Sequence, residues 1–422
     1  MSDLSRREAV GLLAAAAVGR LMPRGLIESP DERSDGVGFR VRTITAGTTL
    51  SSPSDMRPVE AALAFLKRSK RVLQDGGYEV QTVRLATQPL VAGLGAGARA
   101  GALEALRALD RVAVAEEMLV SIGPAFAGDR SDPDFAPWAA ELARTTRNMS
   151  FTVTVASPEQ GVVPQATRVA AEAMAAIARA TEGGLGNFSF AAAANVPAGT
   201  PFFPVAHHRG PDAFAIGTEA PPLLTEAFTG PHTLADARSR LRHILESRLA
   251  PLERLGERIA RRERRAYLGI DMSPAPGKDA SIGTAIETLT GVPFGAAGTL
   301  AGCAAITDVL KTVRLRTCGY SGLMLPVLED PVLARRAGEG RYSVRELLLY
   351  SSVCGTGLDV VPLPGDVAVE RLAALIGDVA ALATKLRKPL SARLFPVPGK
   401  AAGQLARFDD PYLTDCVVLP LE

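Results

Sequence analysis

Phe39–Gly47, FRVRTITAG, alternates apolar and polar positions, the period of a strand that buries one face. PVEAALAFLKRSKRVLQDGG then switches to helical spacing and stops at a glycine pair, and YEVQTVRLAT alternates again. Strand, helix and strand in that order predict parallel strands joined by a helical crossover. The rhythm continues through LDRVAVAEEMLVSIGPA, MSFTVTVAS, the helical QATRVAAEAMAAIARATEGG and NFSFAAAANVP. An Arg- and Glu-rich helix is expected at about Leu234–Arg265, with its charges turned to solvent. RAYLGIDMSPAP then opens what reads as a second α/β half, which runs through CAAITDVLKTV, LRTCGYSGLMLPVLED, VCGTGLDVVPLPGD and VERLAALIGDVAALATKLRKP. The end of the chain is strand-like with turns. Both halves start with an apolar strand that enters a small-residue loop, Thr45–Thr49 in one and Asp271–Pro274 in the other. These loops are expected to face each other across a pseudo-twofold axis.

Bulk properties narrow the picture. With 422 residues, 47% of them hydrophobic, the chain can bury a large core, and its 47 Lys+Arg balance its 45 Asp+Glu. Neither a nucleic-acid surface nor an anionic-membrane surface follows from that balance. Cys303, Cys318, Cys354 and Cys416 lie apart without CxxC spacing and read as isolated thiols in or near the core.

The N-terminal SRREAVGLLAAAAVGR places Arg6-Arg7 ahead of a short Ala-rich run, the arrangement of a twin-arginine export signal. Glu8-Ala9 and Ala17-Val18-Gly19 depart from the usual pattern, and an amphipathic docking helix is the alternative. With the Pro- and Gly-rich linker, the segment is expected to cover residues 1–38, ahead of a single domain over 39–422. Export would place the protein in the periplasm or outside the cell; without it the location is cytoplasmic.

Six strings occur in order: RTITAGTTL, ANVPAGTPFFPVAHHRGPDAFAIG, GIDMSPAP with SIGTAIE, GYSGLMLPVLED, CGTGLDVVPLPGD, and FPVPGKAAGQ with FDDPYL. Together they resemble the domain-of-unknown-function family 711 over nearly everything from Phe39 to Pro420. The resemblance implies an α/β fold, a ten-stranded α/β barrel of two parallel five-stranded halves related to pyruvate formate-lyase. It implies no particular activity.

That fold sharpens one question. RTCGYSG, Arg316–Gly322, is close to what surrounds the radical-bearing glycine of glycyl radical enzymes. Such an enzyme needs its glycine near the chain end and a relay cysteine on a distant loop. Here about a hundred residues follow Gly319, Arg314 stands where a small residue would be expected, and Cys303 is the single upstream cysteine. The motif is therefore expected to supply turn conformations and close backbone approach.

Several positions could carry chemistry. His207 and His208 are neighbours, so on a strand only one could enter a pocket; the resemblance favours His208 as a base or metal ligand, with Asn195, Thr200 and Arg209 nearby for recognition. Asp271 ends a strand, where parallel barrels gather catalytic groups, and is expected as acid/base or its orienter. Ser273 follows it, Ser281 opens the next helix beside free N–H groups, and Ser321 belongs to the glycine-rich turn; all three are candidate substrate contacts. Glu329-Asp330 could hold a divalent cation, with His208 as a third candidate ligand. Cys354 has no basic neighbour in sequence to activate it, so burial is the expectation. Arg393 suits a clamp on a substrate anion, and Lys400 sits on a firm Pro-Gly turn. No GxxxxGK[ST], HExxH, GxSxG or strand-borne GxGxxG occurs, so no nucleotide cofactor is expected. The reading is an enzyme that uses acid/base groups, with or without a divalent metal, on a small anionic or carbonyl-bearing metabolite. The alternative is an extracytoplasmic small-molecule binding protein, and homo-oligomerisation is possible.

Overall fold

A computed structural model describes residues 38–230 and 233–421, so the twin-arginine segment and nearly all of the linker lie outside the described residues. The chain runs β1 (Arg40–Thr48), α1 (Met56–Asp75), β2 (Val80–Thr87), α2 (Ala96–Gly101), α3 (Leu103–Ala115), β3 (Met118–Phe126), α4 (Phe135–Thr145), β4 (Met149–Ser157), the short β5 (Gly161–Val162), α5 (Pro164–Ala180) and β6 (Phe190–Ala194). It continues with β7 (Ala213–Glu219), α6 (Pro221–Phe228), α7 (Leu234–Glu263), β8 (Ala266–Asp271), α8 (Ile282–Thr290), α9 (Thr299–Leu310), α10 (Pro331–Gly338), α11 (Val344–Ser351), β9 (Gly357–Pro364), α12 (Val369–Leu386) and β10 (Leu390–Val397), ending in the two-residue strands β11 (Leu405–Ala406) and β12 (Cys416–Val417). Among the described residues no helix is long and apolar enough to cross a membrane.

The strands build one ten-stranded sheet in the order β8-β7-β1-β2-β3-β4-β6-β10-β9, with β5 attached to β4. Helical crossovers make β1, β2, β3, β4 and β6 parallel, as the strand–helix–strand pattern predicts. β7 then runs antiparallel to β1, and β10 antiparallel to β6. β8 and β9 continue those flanks in parallel.

This topology corrects two expectations. The second half begins at β7, inside DAFAIG, one strand before RAYLGID. Because that half is antiparallel to the first, the loop after β1 and the loop after β8 stand at opposite ends of the sheet. Gly47 pairs with Ala213 and Asp271 with Gly217, four residues further along β7 and roughly 13 Å away at a strand's rise.

The period of two separates the faces. Val83 and Leu85, Val120 and Ile122, and Phe151, Val153 and Val155 enter the main core beneath the helices. There Phe126, Phe135, Trp138, Phe151 and Phe190 form a chain of rings with centroids 5.0–5.7 Å apart. The alternate positions, Thr82 and Arg84, Ser121, Thr152, Ala191 and Ala193, Ser391 and Arg393, are polar or small yet also buried.

What buries this inner face is loop. Residues 195–210 fold over it: Thr45 Oγ1 donates to Pro201 O (2.8 Å), Ser121 Oγ to Ala206 O (2.6 Å), and Val205 packs with Ala191, Ala193 and Tyr320. His207 and His208 therefore sit in this loop and not on a strand. A second covering segment runs from Arg316 to Leu328. It starts beside β8, where Ile270 N donates to Arg316 O (2.8 Å) and Cys318 N to Ile270 O (3.1 Å). It finishes beside β9, where Gly355 N donates to Leu323 O (2.8 Å) and Val327 N to Asp359 O (3.1 Å). Gly322 meets Gly355 so closely that a Cβ on either would strike the other's Cα. All four cysteines are free thiols, with Cys303, Cys354 and Cys416 buried.

Candidate functional site

The inner face carries a cluster of buried charge where the start of β1 meets the end of β7. Arg42, near the start of β1, bonds Glu219 at the end of β7 (3.1 Å) and lies 3.6 Å from Glu329. Arg393 on β10 holds Asp359 on β9 through Nε (2.7 Å) and Glu329 through Nη2. Each of these carboxylates is buried, and each has an arginine against it, which is the usual condition for keeping charge out of water. Burial alone would lower the Arg393 pKa; Asp359 and Glu329 outweigh it and hold it above its ordinary value. For Glu329 the balance goes the other way. Burial raises its pKa above the ordinary carboxylate value despite Arg393.

Arg84, in the middle of β2, breaks the pattern. It is 7% exposed, and Nε donates to Thr82 Oγ1 (3.1 Å). Among the described residues that is its hydrogen bond, and no carboxylate pairs with it. One face of its guanidinium lies over the Phe203 ring, 4.9 Å from the centroid. Burial, followed by the neighbouring cation Arg42, lowers its pKa to about 9, with Arg393 acting in the same direction. It remains a cation at neutral pH. Among the described residues the two Nη groups of this buried, fixed guanidinium have no hydrogen-bond partner.

The residues singled out from the sequence fall into separate groups. Asp271 is fully buried and accepts from Ser273 N (3.0 Å), Ser273 Oγ (2.7 Å), Ser321 N (2.8 Å) and Tyr320 N (2.9 Å). Ser273 Oγ also accepts from Gly322 N (3.1 Å), and Ser321 Oγ donates to Cys318 O (2.7 Å), so the three side chains clasp the glycine-rich turn. Burial raises the Asp271 pKa. Asp330 caps two helices at once: it accepts from Val332 N and Leu333 N of α10 and from Ile282 N and Gly283 N of α8, while Ser281 Oγ donates to it at 2.8 Å. Of the predicted groups, Arg393 and Glu329 are the pair brought together in the charge cluster.

The others stand elsewhere. His208 packs its ring on Gly47, its Nε2 lies 2.8 Å from Gly210 O, and burial lowers its pKa. It is not in contact with Asp271, which belongs to the other end of the sheet. Asn195 is held at φ 54° just past β6, and Lys400 lies in the turn after β10. Among the described residues no three His, Cys, Asp or Glu side chains converge as a metal site; Glu329, Asp330 and His208 serve three different places.

Sequence reading passed over Arg42, Arg84, Glu219 and Asp359. A signal was there for the first two: an arginine amid YEVQTVRLAT, and two arginines in FRVRTITAG, fall within strands of a large sheet. A charge on a central strand of such a sheet must be buried on one face or the other.

Residues 36–409 match the family described as Uncharacterised ACR (DUF711). The chain belongs to that family. Among curated relatives, a UPF0210 protein of Pyrobaculum islandicum is 33% identical over 387 residues, covering 86% of this chain and 83% of the relative. A UPF0210 protein of Desulforudis audaxviator is 27% identical over 410 residues, covering 87% and 88%. The DUF711 match begins at residue 36, so the twin-arginine segment stands outside it.

Proposed function

We propose that this DUF711 protein is an enzyme that binds a small anionic metabolite at Arg84 and acts on it by acid/base chemistry through Glu329. The observation that carries the reading is the guanidinium of Arg84, buried, fixed by Thr82 and Phe203 and, among the described residues, without a bonded carboxylate. A buried cation without a bonded carboxylate lowers stability, and such a residue persists where a ligand pairs with it. Glu329 is close enough for its charge to act on Arg84, and burial raises its pKa, the direction that suits a carboxylate which takes up and gives back a proton. Arg393 positions Glu329, a different role from the substrate clamp expected of it.

The site belongs, in this reading, to a closed ten-stranded barrel of two parallel five-stranded halves, like that of pyruvate formate-lyase. Support comes from Arg316–Leu328, which bonds β8 at one end and β9 at the other and so bridges the two free edges of the sheet. The fifth strand of the second half would be this segment.

A second reading is a binding protein without catalysis, and one observation favours it. Glu329 is already engaged by Arg393, so it could be purely an ion-pair partner. A thermal-shift screen of small organic anions against wild type and Arg84→Met tests the shared premise: stabilisation by any anion in wild type and none in the variant is expected. Absence of any Arg84-dependent shift sinks both readings. Once a ligand is in hand, Glu329→Gln separates them, since turnover is lost and binding kept only in an enzyme.

A further inference from the structure

We infer that the ligand of the Arg84 site is a monocarboxylate, and not a dianion such as a phosphate monoester. This rests on the reading of Arg84 as an anion anchor and narrows it. Three features of the site carry the step. First, the Nε edge of Arg84 is committed to Thr82 Oγ1, which itself donates to Arg42 O (2.7 Å), so the plane of the guanidinium is fixed from the backbone of β1. The open edge is the Nη1–Nη2 fork, whose two parallel N–H groups match the two oxygens of one carboxylate. Second, Phe203 covers one face of the guanidinium, so an anion approaches in the plane rather than over the ring.

Third, the cluster is already balanced, because Arg42, Arg84 and Arg393 face the three carboxylates Glu219, Glu329 and Asp359. Among the described residues Arg84 is the cation of the three without a carboxylate bonded to it, and any anion on it adds negative charge, a monoanion the least. A dianion would carry its second charge into the neighbourhood of Glu329, whose charge already acts on Arg84. Like charges in a water-poor interior are strongly disfavoured. The fork accepts either anion in shape; the surrounding carboxylates select the singly charged one.

The test is isothermal titration of the full chain at pH 7 and constant ionic strength with acetate and propionate as monocarboxylates, with sulfate as the dianionic probe, and with inorganic phosphate, a mixture of mono- and dianion at that pH, as a second tetrahedral probe. Wild type is expected to bind a monocarboxylate at least tenfold more tightly than sulfate, and Arg84→Met, still folded by circular dichroism, to lose that binding. Arg84→Lys keeps the charge but loses the fork and should fall at least tenfold as well. Sulfate or phosphate binding as tightly as the carboxylates, and lost in Arg84→Met, overturns the monocarboxylate assignment while leaving the anion anchor intact. Binding of all four anions unchanged in Arg84→Met, or no binding at all, overturns the anchor itself.

Discussion

Arg84 and Arg393 project from β2 and β10 into one inner face, each 7% exposed, and their guanidinium groups are in opposite electrostatic situations. Arg393 is gripped by two carboxylates, Asp359 and Glu329, whereas Arg84 has none bonded to it among the described residues and feels Arg42 and Arg393 as repelling neighbours. Two chemically identical side chains thus separate into a structural cation and an open one.

That contrast predicts opposite stability effects. Arg393→Met strands the buried Asp359 without its partner and leaves Glu329 with the longer contact to Arg42, and loss of about 3–5 kcal/mol is expected. Arg84→Met removes a buried charge to which no described carboxylate is bonded and replaces it with a side chain that can still pack on Phe203, so stability should be unchanged or higher. Urea denaturation of both variants against wild type checks this. A large loss in Arg84→Met would mean the residue is a structural partner and not an open site.

The depressed pKa of Arg84 gives a pH signature. Below about 9 the side chain is charged in both folded and unfolded chains, and its burial penalty is constant. Above about 9 the folded protein releases a proton that the unfolded chain retains, so this group's contribution to stability rises with pH. Anion affinity moves the other way, because only the guanidinium cation binds: acetate affinity should be flat from pH 7 to 8 and fall tenfold per unit once pH exceeds about 9. Titration calorimetry across that range reads it. A flat profile through pH 10 would assign the binding to another group.

The parallel half of the fold was legible because a period-two pattern and helical crossovers dictate it. β7 was not, since AFAIGTE is short and follows a loop rich in Pro, Gly and aromatic residues that masks its start. Antiparallel entry of the second half then moved His208 and Asp271 to opposite ends, a consequence no local pattern encodes. Asp271, Ser273, Ser281 and Asp330 were recognised as polar groups at strand and helix ends. Their partners, however, are backbone N–H groups from distant segments, which sequence spacing does not reveal. Arg84 needed one further step, the question of which charge in a buried strand lacks a counter-ion, and only the packed structure answers that.

Asp330 should behave as a double cap. Asp330→Ala frees the first N–H groups of α8 and α10 in a buried place, with an expected loss of about 2–4 kcal/mol, while Ser281→Ala, which leaves Asp330 on both helices, should cost about 1 kcal/mol. Denaturation with and without added Mg2+ or Mn2+ is the measurement. Stabilisation of wild type by either ion that disappears in Asp330→Ala would return the residue to metal binding.

The proposal of export is separable from the sheet domain, because the family match starts at residue 36. Residues 1–38 fused to a reporter that is exported only when folded should carry it to the periplasm, and changing Arg6 and Arg7 to Lys should stop it. Retention of the unmutated fusion in the cytoplasm would dismiss the signal.

Gly319 sits at φ 63°, and a Cβ there would land on Asp271 Oδ2, the atom that accepts from Tyr320 N. Both facts give the glycine a structural reason to be there. The left-handed conformation costs a β-carbon about 1 kcal/mol or more, and displacing Asp271 would release the donors of Ser273, Tyr320 and Ser321 in a buried place. Gly319→Ala should therefore lower stability by several kcal/mol, equally in air and under anaerobic conditions, since oxygen has no part in either cost. Gly322→Ala, which would strike Gly355, should do the same. A radical-bearing glycine predicts a different pair of results: wild type cleaved at residue 319 when activated protein meets oxygen, and the alanine variant left whole. Mass spectrometry of protein purified in air is expected to find the chain intact through Arg316–Gly322. A fragment ending near Thr317 or Cys318 that appears only after oxygen exposure would restore the radical.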